Sequence, residues 1–335
     1  MRLKAGLAAV VAASLALIVF KSSSVLPAAD TLPAQISDAE YWKMITGFSE
    51  PGGYFQYEII TSNEVSYQSV LPDLMRTART GGAYLGVGPE QNFTYIAALQ
   101  PKIAFIIDIR REMMLEHLMY KVVFEMSADR TEFVANLFSR RAPAQLTVDS
   151  STEAIFQSFS RVPAELPLVE EHLKDILTRI KMRHGFTLAA EDERRIRALY
   201  MAFAREGVLN FNSSFRSPGY ANLMTLTDFA GRSWSYLASR QNYDRVRAMH
   251  QKNLIVPLVG DFAGPKAIRI TGQYLKDHGA TVGVFYISNV EDYIQAVWSQ
   301  YVSNVASLPI DISSLFIRWS PGSQTTLAPI ANFIR

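Results

Sequence analysis

Four short apolar runs divide the chain into the steps of an α/β sheet. They cover residues 83–87, 103–107, 254–259 and 281–287, and each one stops at a glycine or a polar residue. Continuous apolar runs of this length are typical of parallel strands that helices cover on both faces. A further run at 314–319 predicts a last strand at the edge of the sheet. The pattern therefore predicts an α/β fold with a mostly parallel sheet.

Helical periodicity fills the segments between these runs. Residues 110–126 carry apolar side chains at three- and four-residue spacing, which predicts a long amphipathic helix. The segments 169–183 and 190–206 show the same spacing with many more charges, and we interpret them as helices inserted beside the sheet. The predicted organisation is a first half of the sheet domain at 32–143, a helical insertion at 144–240, and a second half at 241–335.

The connection between the first two runs has the features of a ligand-binding turn. Gly86 and Gly88 end the first run and allow a left-handed backbone without a Cβ that would block a ligand. Pro89 suits the first turn of a helix, and Glu90 and Asn92 open that helix. These five residues are our candidate ligand-binding turn.

A carboxylate completes this predicted site. Asp108 ends the second run about 20 residues after Gly88, the spacing at which an acidic residue accepts hydrogen bonds from ribose hydroxyls. A pyrophosphate-binding turn needs a third glycine, and Gln91 stands at that position. We therefore expect a small nucleoside-bearing ligand without a pyrophosphate; an ordinary tight turn followed by a charged strand end is the alternative.

The glycine pair and Asp108 resemble the first two motifs of class I S-adenosylmethionine-dependent methyltransferases. The whole chain is similar to an uncharacterised bacterial family of methyltransferase-like proteins. This resemblance implies a Rossmann-like fold and S-adenosyl-L-methionine as the cofactor, with an unknown small acceptor. The stretches that carry it are 84–95, 105–111, 118–121, 257–267 and 285–291.

The same resemblance suggests candidates for the chemistry of methyl transfer. An oxygen or nitrogen acceptor must lose a proton, so a base is needed near it. Asp261 follows the run at 254–259, which looks like the fourth strand of that family, and stands where the base would be. Tyr286 and Asn289 are candidates for holding the acceptor. Asp261 and Asn289 equally suit helix N-caps, and this alternative stays open.

The N-terminus predicts a different compartment from that of the cofactor. Arg2 and Lys4 precede an apolar run at 5–20, and small residues follow it, as in a secretory signal. A signal peptide cleaved near Ala28 or Ala29 competes with an uncleaved membrane anchor within residues 1–31. Either one predicts a periplasmic, secreted or inner-membrane-anchored protein, whereas S-adenosylmethionine is made and kept in the cytoplasm.

Composition narrows the remaining function classes. The net charge of +2 gives no field strong enough to favour nucleic acid. The chain has no cysteine, and its five histidines lack ligand spacing, so we expect neither a disulfide framework nor a metal. Two hypotheses remain: a methyltransferase acting on a small molecule, and an exported or anchored binding protein that kept the fold without catalysis. None of these patterns specifies the oligomeric state.

Overall fold

A six-stranded sheet forms the centre of the computed structural model, which describes residues 30–57, 59–206 and 219–334. The strand order is β3-β2-β1-β4-β5-β6. Strands β1 to β5 are parallel, and β6 runs antiparallel to β5. The strands are β1 (Ala83–Gly86), β2 (Ile103–Asp108), β3 (Ile255–Val259), β4 (Val282–Ser288), β5 (Leu315–Arg318) and β6 (Thr326–Pro329).

Helices cover both faces of this sheet, which is why its inner strands are apolar throughout. Helices α3, α4 and α10 pack together over one face, and α1, α11 and α12 over the other. The helices outside the 144–240 region are α1 (Asp38–Phe48), α2 (Leu71–Thr77), α3 (Gln91–Leu99), α4 (Arg111–Met126), α5 (Arg130–Phe138), α10 (Arg240–Gln251), α11 (Ala267–Asp277), α12 (Trp298–Ala306) and α13 (Ile330–Phe333). The predicted α/β class and the mostly parallel sheet are confirmed.

The region 144–240 consists of helices joined by loops, with no strand among its described residues. It contains α6 (Thr152–Phe159), α7 (Leu166–Thr178), α8 (Ala190–Glu206) and α9 (Tyr220–Thr225). A π-helical turn, Arg179–Arg183, extends α7. Helix α8 packs against α4 and α5, so this region lies on the α4 side of the sheet.

Two expectations about strand placement were wrong. The run at 254–259, compared above with the fourth strand of methyltransferases, forms the outermost strand β3 beside β2, and β4 is the neighbour of β1. The run at 314–319 forms β5, an inner strand, because the short strand β6 pairs along its outer side. The apolar pattern identifies a strand but does not specify its neighbours.

The predicted signal or anchor falls on undescribed residues. The apolar run at 5–20 and the region near Ala28 and Ala29 lie outside the described part of the chain. Within the part that is described, no helix is long and apolar enough to cross a membrane.

Candidate functional site

The order of the strands reverses between β1 and β4, and ligands of open α/β sheets bind at the carboxyl ends of strands at such a point. Gly86 pairs with Ile106 in the parallel register of β1 and β2. Gly88 and Asp108 each follow two residues later, so the structure brings them to the same level of this edge. Their predicted proximity therefore follows from the register of the two strands.

The glycine turn after β1 is filled by a side chain of the protein itself. Gly88 has a left-handed φ of +76°, and a Cβ there would meet only the amide of Gln91, at 3.6 Å. A Cβ on Gly86 would lie 2.0 Å from Oδ1 of Asn92. Nδ2 of Asn92 donates to the carbonyl of Val87 at 2.9 Å, and its Oδ1 accepts from the Tyr84 hydroxyl at 2.8 Å. Asn92 thus fixes the shape of the turn, and Gly86 is required because Asn92 lies against it.

Asp108 is held in place at the end of β2 by its own neighbour. The side chain is buried, and Oδ1 accepts from the backbone N–H of Arg110 at 2.8 Å. Nε of Arg110 lies 3.4 Å from the same oxygen, and Nη1 donates to the carbonyl of Ile59 at 3.0 Å. Both hydrogen bonds that Arg110 donates to Asp108 therefore end on Oδ1.

A buried carboxyl group, Glu64, lies at the carboxyl end of β4, and sequence reasoning did not single it out. Its Oε1 accepts hydrogen bonds from the hydroxyls of Tyr286 and Ser288, the latter at 2.5 Å. Tyr286 accepts in turn from Nε2 of Gln91 at 2.7 Å, which ties β4 to the glycine turn. Burial raises the pKa of Glu64 to about 7, although both hydroxyl hydrogen bonds lower it. Oε2 has no partner among the described residues.

Two more buried carboxyl groups lie behind the turn. Glu90 accepts from the backbone N–H of Ser62 through both oxygens, at 3.1 and 3.3 Å, and burial raises its pKa to about 8. Burial also raises the pKa of Glu116 on α4 well above its usual range, and neither of its oxygens has a partner among the described residues. The carboxyl group of Glu90 is therefore mostly protonated at pH 7, and burial likewise favours the neutral form of Glu116.

A neutral histidine supports the turn from the same side. Nε2 of His117 lies 2.9 Å from the carbonyl of Gly88, so this nitrogen carries the proton and donates it. Burial lowers the pKa of His117 to about 4. The predicted ligand residues Glu90 and Asn92 thus belong to a packed interior that shapes the turn, while Gly88 and Asp108 face the edge of the sheet.

The three residues proposed for catalysis do not lie together. The hydroxyl of Tyr286 donates to Oε1 of Glu64. Asn289 follows β4 directly, and its Nδ2 lies 3.3 Å from Oδ2 of Asp292. Asp261 follows β3, which β2 and β1 separate from β4. Its Oδ1 accepts from the backbone N–H of Ala263 at 2.8 Å within a turn that precedes α11, so the alternative that Asp261 caps a helix was also wrong.

The side chain of Glu50 accepts hydrogen bonds from the backbone at the start of α11, which the sequence pattern did not predict. Its Oε1 accepts from the backbone N–H groups of Lys266 and Ala267 at 2.8 and 2.7 Å, and its Oε2 from that of Asp261 at 3.2 Å. A carboxylate from the N-terminal segment therefore caps α11 from more than 200 residues away.

A match to a protein family covers the elements of this site. The family model described as a domain of unknown function (DUF7790) matches residues 59–222 and 218–332. The chain belongs to this family. No curated protein matches it. The matched residues include the glycine turn, Asp108, Glu64 and the end of β4, whereas the capping residue Glu50 precedes them.

An aromatic segment of the chain lies across the carboxyl edge. The N–H of Gly53 donates to the carbonyl of Ile109 at 2.8 Å, just beyond Asp108. The ring of Phe55 makes edge contacts with Tyr57 and Tyr293, with centroids 5.5 and 5.0 Å apart. Residues 50–57 therefore contact the segments that follow β2 and β4, across the carboxyl edge of the sheet.

Neither of two cavities in the structure involves the predicted residues. One of about 520 Å³ is a shallow depression along the outer face of α10, and one of about 330 Å³ lies at the opposite, amino edge of the sheet. Within the described ranges, no group of three or more acidic or histidine side chains is arranged to hold a metal ion.

Proposed function

We propose that the protein is an S-adenosylmethionine-dependent methyltransferase of Rossmann-like, class I fold, acting on a small acceptor. The observation that carries the proposal is the placement of the left-handed turn at Gly88 beside the carboxylate of Asp108, where the strand order reverses. The strand order 3-2-1-4-5-6 is that of doubly wound nucleotide-binding sheets, here with β6 reversed.

The residues at the edge suit a nucleoside that carries no phosphate. Oδ2 of Asp108 is placed to accept from ribose hydroxyls, and the left-handed turn at Gly88 lets the backbone approach the ligand closely. Asn92 occupies the space against Gly86 where a pyrophosphate turn would need open backbone. Gly86, Pro89, Glu90 and Asn92 then act by holding the turn in shape.

Glu64 is the best-placed group for removing a proton from the acceptor. S-adenosylmethionine, when bound, supplies an electrophilic methyl group. A carboxyl group with a pKa of about 7 can accept a proton near neutral pH, and the unpartnered Oε2 of Glu64 is the accepting atom. The hydroxyls of Tyr286 and Ser288 orient this carboxyl group through Oε1. Glu64 thereby replaces Asp261 as our proposed base.

Calorimetry of the full chain with S-adenosylmethionine and S-adenosylhomocysteine tests this proposal. We expect saturable binding of both, weakened about tenfold to hundredfold in Asp108→Asn because charge-assisted hydrogen bonds to the ribose are lost. Asp261→Asn is the matched control, since it makes the same change at the end of β3, and it should bind like the wild type. Absence of binding, or equal affinity in Asp108→Asn, would contradict the proposal.

A non-catalytic binding module outside the cytoplasm is the second candidate. The observation that favours it is the filled turn, in which Asn92 and Glu90 are already satisfied by partners within the protein. A reporter enzyme that is active on only one side of the membrane, fused after residue 335, shows on which side of the membrane the C-terminus lies. A cytoplasmic C-terminus supports the methyltransferase, and an exported C-terminus supports the module, because it separates the domain from the cofactor.

A further inference from the structure

A polar cavity at the amino edge of the sheet is unrelated to the proposed methyl-transfer site. Its volume is about 330 Å³, which lies within the range of small-molecule sites. Its lining comes from the chain around the start of α1, the end of α4, the π-helical turn and the entry to β3. The lining residues used below are Asp38, Glu125, Arg183, His184 and Asn253.

A chain of ion pairs builds one wall of this cavity. Nζ of the buried Lys121 donates to Oε1 of Glu125 at 2.6 Å. Oε2 of Glu125 lies 2.7 Å from Nε2 of His184, whose Nδ1 lies 3.0 Å from Oδ2 of Asp38. Each polar side chain of this series contacts the next one, so the wall is matched internally. Its side chains are buried except for Asp38, which is 39% exposed.

Two polar groups of the cavity are not matched by the protein. Arg183 is exposed to solvent and forms no ion pair with any residue in the described ranges, and the nearby Lys121 carries the same charge. Asn253 is 3% exposed, and its Oδ1 has no partner among the described residues, while its Nδ2 donates to Ile36 and Asp38. A buried acceptor without a donor is costly, so a ligand that donates to Oδ1 would relieve that cost.

The backbone next to the cavity is also unusual. Arg179–Arg183 forms a π-helical turn, in which the N–H of His184 donates to the carbonyl of Arg179 at 3.0 Å. Such turns are rare and occur frequently at functional sites. Here the turn places Arg183 and His184, consecutive residues, on the wall of the same cavity.

We propose that this cavity binds a small zwitterion of the amino-acid class. The guanidinium of Arg183 would hold the carboxylate of the ligand, since planar guanidinium groups recognise carboxylates through two parallel hydrogen bonds. Oδ1 of Asn253 and the exposed carboxylate of Asp38 would accept from its ammonium group. The opposite signs of these two ends distinguish a zwitterion from a simple anion or cation.

Calorimetry of the full chain against free L-amino acids tests this inference, with acetate and ethanolamine as probes of one charge only. We expect at least one L-amino acid to bind about tenfold or more tightly than either single-charge probe. The inference would be overturned if acetate or ethanolamine bound as tightly as the tightest-binding amino acid. It would also be overturned if no amino acid bound. These wild-type measurements do not depend on any variant.

A pair of arginine variants locates the bound molecule. Arg183→Gln should weaken amino-acid binding about tenfold or more. Arg179→Gln makes the same change in the same π-helical turn but does not line the cavity, so its affinity should equal that of the wild type. Equal affinities of the two variants would overturn the assignment to this cavity. Binding of adenosine, which has no amino-acid group, should be the same in all three proteins, which separates this site from the proposed one.

Discussion

Replacing Glu64 with glutamine should change how the stability of the protein depends on pH. The carboxyl group has a pKa of about 7 in the folded protein, against an ordinary value of 4.5, because it is buried. Below pH 4.5 the group is protonated in both states and contributes no pH dependence. Between pH 4.5 and about 7 the unfolded chain gives up the proton while the folded chain keeps it, so rising pH favours unfolding.

The size of the effect follows from these two values. The interval between 4.5 and about 7 corresponds to about 3 kcal/mol, at about 1.4 kcal/mol for each pH unit. Glutamine has no proton to lose, and its amide oxygen can still accept from Tyr286 and Ser288. Its NH₂ group takes the place of Oε2, which has no partner in the described structure, at a pH-independent cost of about 1–2 kcal/mol.

Urea unfolding at a series of pH values measures this difference through tryptophan fluorescence. The free energy of unfolding of Glu64→Gln minus that of the wild type should rise by about 3 kcal/mol between pH 4.5 and 7 and stay level above that. Glu153→Gln controls for the loss of a charge, since that side chain is exposed on α6. A difference that does not change with pH would refute the argument that Glu64 is buried as a neutral acid.

Four further substitutions test other parts of the structure by urea unfolding. Glu50→Ala removes the acceptor for the first N–H groups of α11 and should lower the free energy of unfolding by about 1–2 kcal/mol. An unchanged stability would show that water caps the helix equally well. Gly88→Ala should lower the stability by about 1–2 kcal/mol because φ is +76°, whereas Gly47→Ala, inside α1 with open space around it, should raise it by about 0.5–1 kcal/mol. The reverse result, with Gly88→Ala more stable and Gly47→Ala less stable than the wild type, would contradict the assigned backbone. Lys121→Met leaves the carboxylate of Glu125 without its buried ammonium partner and should lower the free energy of unfolding by about 3–5 kcal/mol. A loss below about 1 kcal/mol would show that His184 alone is a sufficient partner for Glu125.

The glycine turn shows how far local pattern can predict a site. A strand that ends in glycines, a helix, and a strand that ends in an acid are all adjacent in the chain, so their arrangement follows from short-range rules. The predicted turn at Gly88 and the position of Asp108 at the end of β2 are confirmed. The sequence could not show that Asn92 turns inward against Gly86, since an asparagine at a helix start suits either direction.

Buried ionisable residues on α4 show what the periodicity missed. Glu116, His117 and Lys121 all lie in the interior, although ionisable residues within an amphipathic pattern are normally assigned to the surface. Each one is buried because helices from distant parts of the chain cover the outer side of α4. The apolar stripe alone underestimated how much of this helix is covered.

The strands, the glycine turn and the acidic strand end could be predicted from local sequence, because each depends on residues within a few positions of one another. The folded structure was needed to show which strands are neighbours, that Glu64 meets Ser288 across more than 200 residues, and that Glu50 rather than Asp261 caps α11 from the N-terminal segment. These pairings depend on strand order and packing, which bring together residues whose spacing in the chain carries no signal. The pKa of a buried carboxyl group depends on its solvation in the folded state, so the shift from its ordinary value arises only once the chain is folded.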